Sequence, residues 1–158
     1  MPPPESAPRI KSRPIMDRVL KEIFVPELRA RGFTGSLPHF RRIRQDRIDL
    51  ISFQHAMRGG QFFVELSQCG PAGIKTESGE AIPPDKVTVH DMPAGDRFHL
   101  STGWGWRSKV FAYDRPSYDP PLATTEAATE ANCAKAARKA LEAFTKQAEN
   151  WWEQKARR

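Results

Sequence analysis

The sequence predicts an α+β fold, in which an antiparallel sheet of four to five strands is packed by a kinked N-terminal helix and a long C-terminal helix. Three observations support this prediction: a helical repeat near the start, three strand-like segments joined by short turns, and an alanine-rich final segment without glycine or proline. A chain of 158 residues is long enough to bury its own core. We therefore expect one α+β domain over residues 13–158, preceded by a disordered proline-rich arm over residues 1–12.

The N-terminal arm is defined by its prolines. Five of the fourteen prolines lie in the first fourteen residues. Proline fixes φ and lacks a backbone donor, so this segment disfavours a helix. It also lacks the continuous apolar stretch that a secretory signal needs. We expect a solvated tail, with docking on a partner as the alternative.

The first helix is predicted over residues 15–31, where apolar side chains recur at helical spacing. Ser12 can serve as its N-cap, and Gly32 follows the last turn as a typical C′ residue. Pro26 lacks the N–H that would bond the carbonyl four residues earlier, so the helix should kink. The apolar stripe resumes at Leu28, which favours one kinked helix.

Strand-favouring residues separated by short turns predict an antiparallel meander in the centre of the chain. Its three strands cover residues 40–45, 48–55 and 61–68. Residues 69–95 are rich in glycine and proline and predict a surface excursion, with a short strand at Val87–Val89. Residues 97–102 predict a further strand of the sheet.

The C-terminal helix is predicted from about Thr125 to Lys155, with Thr124 or Thr125 as its N-cap. Its apolar stripe, small at first and bulky later, should face the sheet. The stripe consists of Ala127, Ala131, Ala134, Ala137, Leu141, Phe144, Ala148 and Trp151. Consecutive helical residues point about 100° apart, so one residue of the Trp151–Trp152 pair can be exposed.

The net charge of +6 comes entirely from the first 60 residues, where twelve lysines and arginines face six acidic residues. The candidates for binding an anion or a partner are Arg41, Arg42, Arg44 and Arg47, on the first strand and its turn. Strand alternation places Arg42 and Arg44 on the face opposite Arg41. Basic residues on an edge strand prevent edge-to-edge aggregation. The alternatives are an acidic protein partner and single-stranded nucleic acid.

The motifs of common catalytic and metal sites are missing from the sequence. It has no paired-cysteine or clustered-histidine zinc motif, no GxSxG nucleophile elbow and no glycine-rich phosphate loop. We therefore predict no metal, no cofactor and no catalytic residue. The best polar pocket that the strands could assemble would hold Gln54, His55, Glu65 and His99.

The cysteines and the hydropathy pattern bear on location. Cys69 and Cys133 lie 64 positions apart and form no CxxC motif, which favours reduced thiols in a cytoplasm. No run of 18 apolar residues is present, so we expect no membrane-spanning helix and no membrane partner. The oligomeric state stays open.

Four short motifs carry a resemblance to a known family. They are LRARGF at 28–33, FRR at 40–42, ISFQ at 51–54 and QFFVEL at 61–66. This portion, about residues 15–68, resembles the bacterial domain-of-unknown-function family number 4304. The resemblance implies a small α+β domain with an antiparallel sheet, and it implies no activity.

These observations favour a small cytoplasmic, non-enzymatic binding protein that acts through a protein–protein contact. One alternative is nucleic-acid binding through the basic strand. The other is an enzyme whose site is assembled by the fold around His55, Glu65 and His99.

Overall fold

The computed structural model describes residues 10–115 and 122–158. Within these ranges the chain has the predicted α+β architecture, with a kinked N-terminal helix, an antiparallel sheet and a long C-terminal helix. Residues 1–9 of the predicted disordered arm lie outside the described part of the chain. The last residue of that arm, Ser12, is instead the first residue of a helix.

The N-terminal helix consists of α1 (Ser12–Ile23) and α2 (Val25–Ala30), separated by Phe24. Phe24 keeps helical dihedral angles and its N–H still bonds the Leu20 carbonyl at 2.9 Å, so the chain bends without leaving the helical region. Pro26 occupies the first turn of α2, where a missing N–H costs little. The kink is therefore confirmed, and it lies two residues before the proline. Ser12 is not the N-cap: Lys11 occupies that position, and the Ser12 hydroxyl donates to Asp114 at 2.7 Å.

Eight strands follow in chain order. They are β1 (Thr34–Ser36), β2 (His39–Ile43), β3 (Ile48–His55), β4 (Gln61–Cys69), β5 (Ile74–Lys75), β6 (Ala81–Ile82), β7 (Phe98–His99) and β8 (Phe111–Ala112). Six of them form an antiparallel sheet in the order β1-β2-β3-β4-β7, with β8 also paired to β4. The strands β5 and β6 form a separate hairpin. A cis Leu37–Pro38 peptide lies in the turn between β1 and β2.

The predicted meander is present as β2, β3 and β4. The predicted strand at Val87–Val89 is wrong: Val89–Asp91 is a 3₁₀ turn. Its cause is local, because the Asp91 carboxylate accepts from the Thr88 N–H at 2.8 Å and completes a capping box. A strand would leave that bond unmade.

The C-terminal helix α3 (Glu126–Ala156) begins after Thr125, whose hydroxyl accepts from the Ala128 N–H at 3.1 Å. The predicted cap is thus confirmed. The buried face differs from the predicted stripe in its first half, where Ala127 and Ala131 are exposed. The buried residues of the helix are Thr129, Cys133, Ala136, Ala137, Ala140, Ala143, Phe144, Ala148 and Trp152. Alanines occur on several faces of α3, so their spacing alone does not identify the buried one.

Both faces of the sheet carry a core. The main core lies between the sheet and the helices and is dominated by phenylalanines, among them Phe24, Phe53 and Phe62. A second, smaller core lies on the other face and joins Ile48, Leu50, Cys69, Val87 and Val89. Val87 and Val89 belong to the excursion over residues 69–95, so this excursion covers one end of the second face.

No helix in the described ranges is long and apolar enough to cross a bilayer.

Candidate functional site

Two of the four arginines predicted to bind an anion are buried against acidic groups of the chain itself. Arg42 donates two hydrogen bonds to Asp49 Oδ2, at 3.0 and 2.8 Å, and a two-pronged pair to Glu149 at 2.9 and 2.8 Å. Arg47 donates to Asp49 Oδ1 at 3.0 Å and to Glu153 at 3.1 Å. Asp49 is fully buried. Its carboxylate accepts hydrogen bonds from both guanidinium groups. It thus lies at the centre of an ion-pair cluster of Arg42, Arg47, Asp49, Glu149 and Glu153.

The electrostatics of the cluster follow from this pairing. Burial acts to lower the pKa of Arg42, but the hydrogen bonds that Arg42 donates to Glu149 and Asp49 outweigh it, and the pKa is raised. Burial acts to raise the pKa of Glu149, and the bond from Arg42 outweighs it, so that pKa is lowered. The Arg42 guanidinium also lies 4.7 Å from the Phe33 ring and 5.3 Å from the Trp152 ring. The cluster thus fastens α3 to the sheet.

The other two arginines remain more accessible. Arg41 lies on the opposite face of the sheet and donates to the Val87 carbonyl at 3.1 Å. Arg44 is exposed, and its Nε lies 3.3 Å from Asp49 Oδ2. The four arginines do not share one surface, as strand alternation predicts for Arg41 against Arg42. Their role in binding a partner stays a prediction.

The structure divides the residues of the predicted pocket: Gln54 and His55 line one pocket together, while Glu65 and His99 do not line it. His55 points to the helices, while Glu65 and His99 pair across strands on the opposite face. Gln54 precedes His55 on β3, so its side chain also lies on the face away from the helices. The enzymatic alternative placed His55, Glu65 and His99 together, and the structure separates His55 from the other two.

Glu65 and His99 belong instead to a polar row, formed by His39, Ser52, Glu65 and His99 on four neighbouring strands. Glu65 is buried, with His99 Nε2 at 3.9 Å and Arg97 at 3.8 Å from its carboxylate. Ser52 Oγ and His39 Nδ1 are buried and have no hydrogen-bond partner within the described ranges. Burial, together with His90 and Arg41, lowers the pKa of His39. No hydrogen bond joins Ser52 Oγ to His39 Nδ1, although the two residues are paired across β2 and β3.

His55 is held from both sides on the helix face. Its Nε2 lies 2.8 Å from Asp17 Oδ1, and its Nδ1 lies 3.1 Å from the Tyr113 hydroxyl. Burial raises the pKa of Tyr113 to about 12, so the phenol stays protonated and can donate to Nδ1. Both ring nitrogens are therefore engaged, and His55 positions the Asp17 carboxylate.

Two exposed tryptophans lie on the tryptophan loop, which we define as residues 101–110 between β7 and β8. Trp104 is 100% exposed and Trp106 is 64% exposed. The loop is nevertheless internally bonded, since Thr102 N–H donates to the Ser108 carbonyl at 2.8 Å and Ser108 Oγ donates to the Gly105 carbonyl at 2.6 Å. Gly105 has φ of +89°, which favours glycine at the turn between the two tryptophans. The loop therefore presents its indoles from a bonded turn.

A groove of about 450 Å³ lies between this loop and α3. Its walls include Ser101–Gly103 on one side and Lys139, Glu142 and Lys146 on the other. Gln147 joins the two walls. Its Oε1 accepts a hydrogen bond from the backbone N–H of Ser101 at 3.1 Å, and its Nε2 donates to the carbonyl of the same residue. The loop is thus fixed in place on α3.

The sequence did not lead us to predict Trp104 and Trp106 as functional residues. The signal that could have found the loop is local: two tryptophans around a glycine, followed directly by Arg107 and Lys109 with no acidic residue. Counting charge over residues 61–158 concealed it, since thirteen acidic residues there balance thirteen lysines and arginines.

The two cysteine thiols and the side chains that could ligate a metal are the remaining candidates for chemistry. Cys69 and Cys133 are free and buried. Burial raises the pKa of Cys69 to about 11 and that of Cys133 to about 12, so neither is a ready nucleophile. Across residues 10–115 and 122–158, no three His, Cys, Asp or Glu side chains are grouped as a metal site requires.

Comparison with known proteins gives one match. The family model described as "Domain of unknown function (DUF4304)" matches residues 24–158, which is most of the chain. The match extends through the 69–95 excursion and α3, beyond the portion whose motifs carry the resemblance. No curated protein and no solved structure matches.

Proposed function

The chain belongs to the DUF4304 family, and from that premise we propose that it is a small, non-enzymatic binding protein whose tryptophan loop docks on an acidic protein partner. We place this activity in the bacterial cytoplasm, because both cysteines are buried thiols and neither has a disulfide partner. The partner contacts Trp104 and Trp106 and the adjoining groove on α3.

The single observation that carries the proposal is the exposure of Trp104 and Trp106 on an internally bonded turn. Leaving an indole in water forgoes the free energy gained when a large aromatic side chain is buried. Tryptophan is also among the residues that contribute most to binding when a partner covers it. Because the loop is already ordered by its own bonds, docking costs little conformational entropy.

Charge selects the class of partner. Arg107 and Lys109 lie on the loop, and Lys139 and Lys146 line the groove. Glu142 is the one carboxylate in the groove lining, and it is paired with Lys146 at 2.8 Å. A partner with an acidic rim around an apolar pocket matches this surface in both sign and shape.

Single-stranded nucleic acid is the competing ligand, since bases stack on exposed aromatic rings beside cations. We favour protein, because an apolar side chain of a protein partner can contact Ala143 in the wall of the groove. The two ligands are separated by the experiment below.

Site-specific photocrosslinking tests the proposal. Trp104 is replaced by a photoreactive phenylalanine analogue in cells of the encoding organism, and adducts are identified by mass spectrometry after irradiation. We expect a protein adduct of acidic composition that resists nuclease treatment and whose yield falls when a cell lysate is irradiated at raised salt. The same probe at Met57, which is also fully exposed but lies on the β3–β4 turn, is the matched control.

The control decides what the adduct means. An adduct at position 104 that is absent at position 57 supports the proposal. The same adduct at both positions, a nuclease-sensitive adduct, or none at position 104 would overturn it; the nuclease-sensitive case would favour the nucleic-acid alternative.

A further inference from the structure

A second pocket, of about 250 Å³, shares no lining residue with the tryptophan loop. It is bordered by α1, by the turn between β1 and β2, by the last residues of β3 and by His90. Its apolar wall consists of Leu37, Pro38 and Phe53. The volume falls below the roughly 300 Å³ at which pockets for drug-sized ligands begin, so it suits a small metabolite.

Asp17 supplies a held anion in this pocket. His55 fixes its Oδ1 at 2.8 Å, and Tyr113 fixes the other side of the imidazole. The second oxygen, Oδ2, has no hydrogen-bond partner within residues 10–115 and 122–158, and the side chain is 39% exposed. A carboxylate that is oriented from behind and open in front can accept hydrogen bonds from a cation.

Arg13 supplies a cation one helical turn before Asp17. Both side chains line the pocket, and their Cβ atoms are expected about 5–6 Å apart at this spacing. No ion pair joins the two in the described part of the chain, because Asp17 is bonded to His55 instead. The pocket therefore presents two opposite charges, side by side, along an apolar wall.

We propose that this pocket binds a small aliphatic α-amino acid. The ammonium group bonds Asp17, the carboxylate bonds the Arg13 guanidinium, and the side chain packs on Leu37, Pro38 and Phe53. An amine without a carboxylate would leave Arg13 without an ion-pair partner, and a carboxylate without an amine would leave Asp17 without one. Only the zwitterion pairs with both charges. This site is independent of the proposed protein docking, since no residue of the tryptophan loop lines it.

Titration of the full chain with L-leucine, followed by two-dimensional ¹H–¹⁵N NMR, tests the proposal. We expect saturable shifts at the amides of Arg13, Asp17, Gln54 and His55, which surround the pocket. Two probes of matched shape, 3-methylbutylamine and 4-methylpentanoate, each lack one charged group. Each should bind about tenfold more weakly than leucine, as the loss of one charge-assisted bond implies.

Variants assign the contacts. Arg13→Gln and Asp17→Asn should each weaken leucine binding about tenfold or more. Lys21→Gln, an exposed change on the same helix that does not line the pocket, should leave it unchanged. Arg13 is exposed, so its variant tests the site even where Asp17→Asn disturbs folding.

The proposal would be overturned if no saturable shifts were seen up to about 50 mM leucine, a concentration above the Kd of an ordinary metabolite complex. Equal binding of leucine and the amine, or full binding by Arg13→Gln, would overturn it as well.

Discussion

At the scale of single residues, Asp49 has the largest structural consequence. It lies fully buried on β3 and meets Arg42 through one oxygen and Arg47 through the other. Its Oδ1 also accepts from Gln68, whose amide in turn donates to the Trp152 carbonyl. A short acidic side chain in the sheet thus ties two basic residues and the end of α3 into one network.

Replacing this carboxylate should be costly. Asp49→Ala leaves the buried Arg42 and Arg47 without their shared partner, and breaking a buried ion pair in this way costs about 3–5 kcal/mol. Urea denaturation measures the loss in free energy of unfolding. Asp46→Asn is the matched control, because that side chain is 69% exposed and 3.8 Å from Arg47, and should change stability by less than about 0.5 kcal/mol. Equal effects of the two variants would contradict the central role of Asp49.

Ionisation of Glu149 should contribute to the pH dependence of the free energy of unfolding. Its pKa in the folded chain lies below the ordinary value of 4.5, so the folded state favours the ionised form. Its contribution is therefore present above pH 4.5 and is lost as the pH falls through the folded value. Free energies of unfolding measured from pH 7 down to about pH 3 should fall less steeply in Glu149→Gln than in the natural chain. Parallel profiles would contradict this assignment.

The same residues show where sequence reasoning stops. The strand and its arginines were predictable from local pattern, and so was their division between two faces. Their partners Glu149 and Glu153 lie more than 100 positions away on α3, and no local rule links segments so far apart. A charge count by segment therefore indicated an open basic strand where the fold builds an internal ion-pair cluster.

At the scale of elements, the turn between β3 and β4 shows how a loop holds a distant segment. Gly60 has φ of +78°, and its carbonyl accepts from the N–H groups of Tyr113 and Asp114, both at 3.0 Å. A Cβ at this position would collide with the Asp114 carbonyl. The turn therefore closes against the chain after β8 and helps to place Tyr113 behind His55.

This close approach predicts an asymmetry between neighbouring glycines. Gly59 also has positive φ, of +75°, but a Cβ there would meet nothing within 4 Å. Gly59→Ala should cost about 1 kcal/mol for the left-handed backbone alone. Gly60→Ala should cost at least about 1 kcal/mol more, because the collision adds to it. Thermal or urea unfolding of the two variants measures the difference, and equal losses would show that the approach of residue 114 is unimportant.

Elements differ in how far their sequence determines them. The strand β3 matches its predicted range of 48–55, because strand-favouring residues fill it and a turn follows. The strands β1 and β8 were missed, since Thr34–Ser36 and Phe111–Ala112 are too short to show alternation. They exist because β2 and β4 offer them backbone partners, which is a property of the assembled sheet.

At the scale of the whole molecule, the basic character of the chain divides into two parts. Near β2, the guanidinium groups of Arg42 and Arg47 form ion pairs with Asp49, Glu149 and Glu153. The tryptophan loop and its groove carry further cations: the Arg107 guanidinium lies 5.9 Å from the centre of the Trp106 ring, and Lys146 is paired with Glu142 in the groove. The net charge of +6 comes from the first 60 residues, whereas the cations of the loop lie in a segment of the chain whose total charge is zero.

The central claim is that the tryptophan loop is the docking surface, and the affinity of the purified partner for matched variants tests it most directly. Isothermal titration compares the natural chain with Trp104→Ala and with Met57→Ala, since both side chains are fully exposed and neither supports the core. Loss of a hot-spot tryptophan should raise Kd about 30-fold or more, while loss of Met57 should change it less than about twofold. An unchanged Kd for Trp104→Ala, or an equal loss for both variants, would contradict the account.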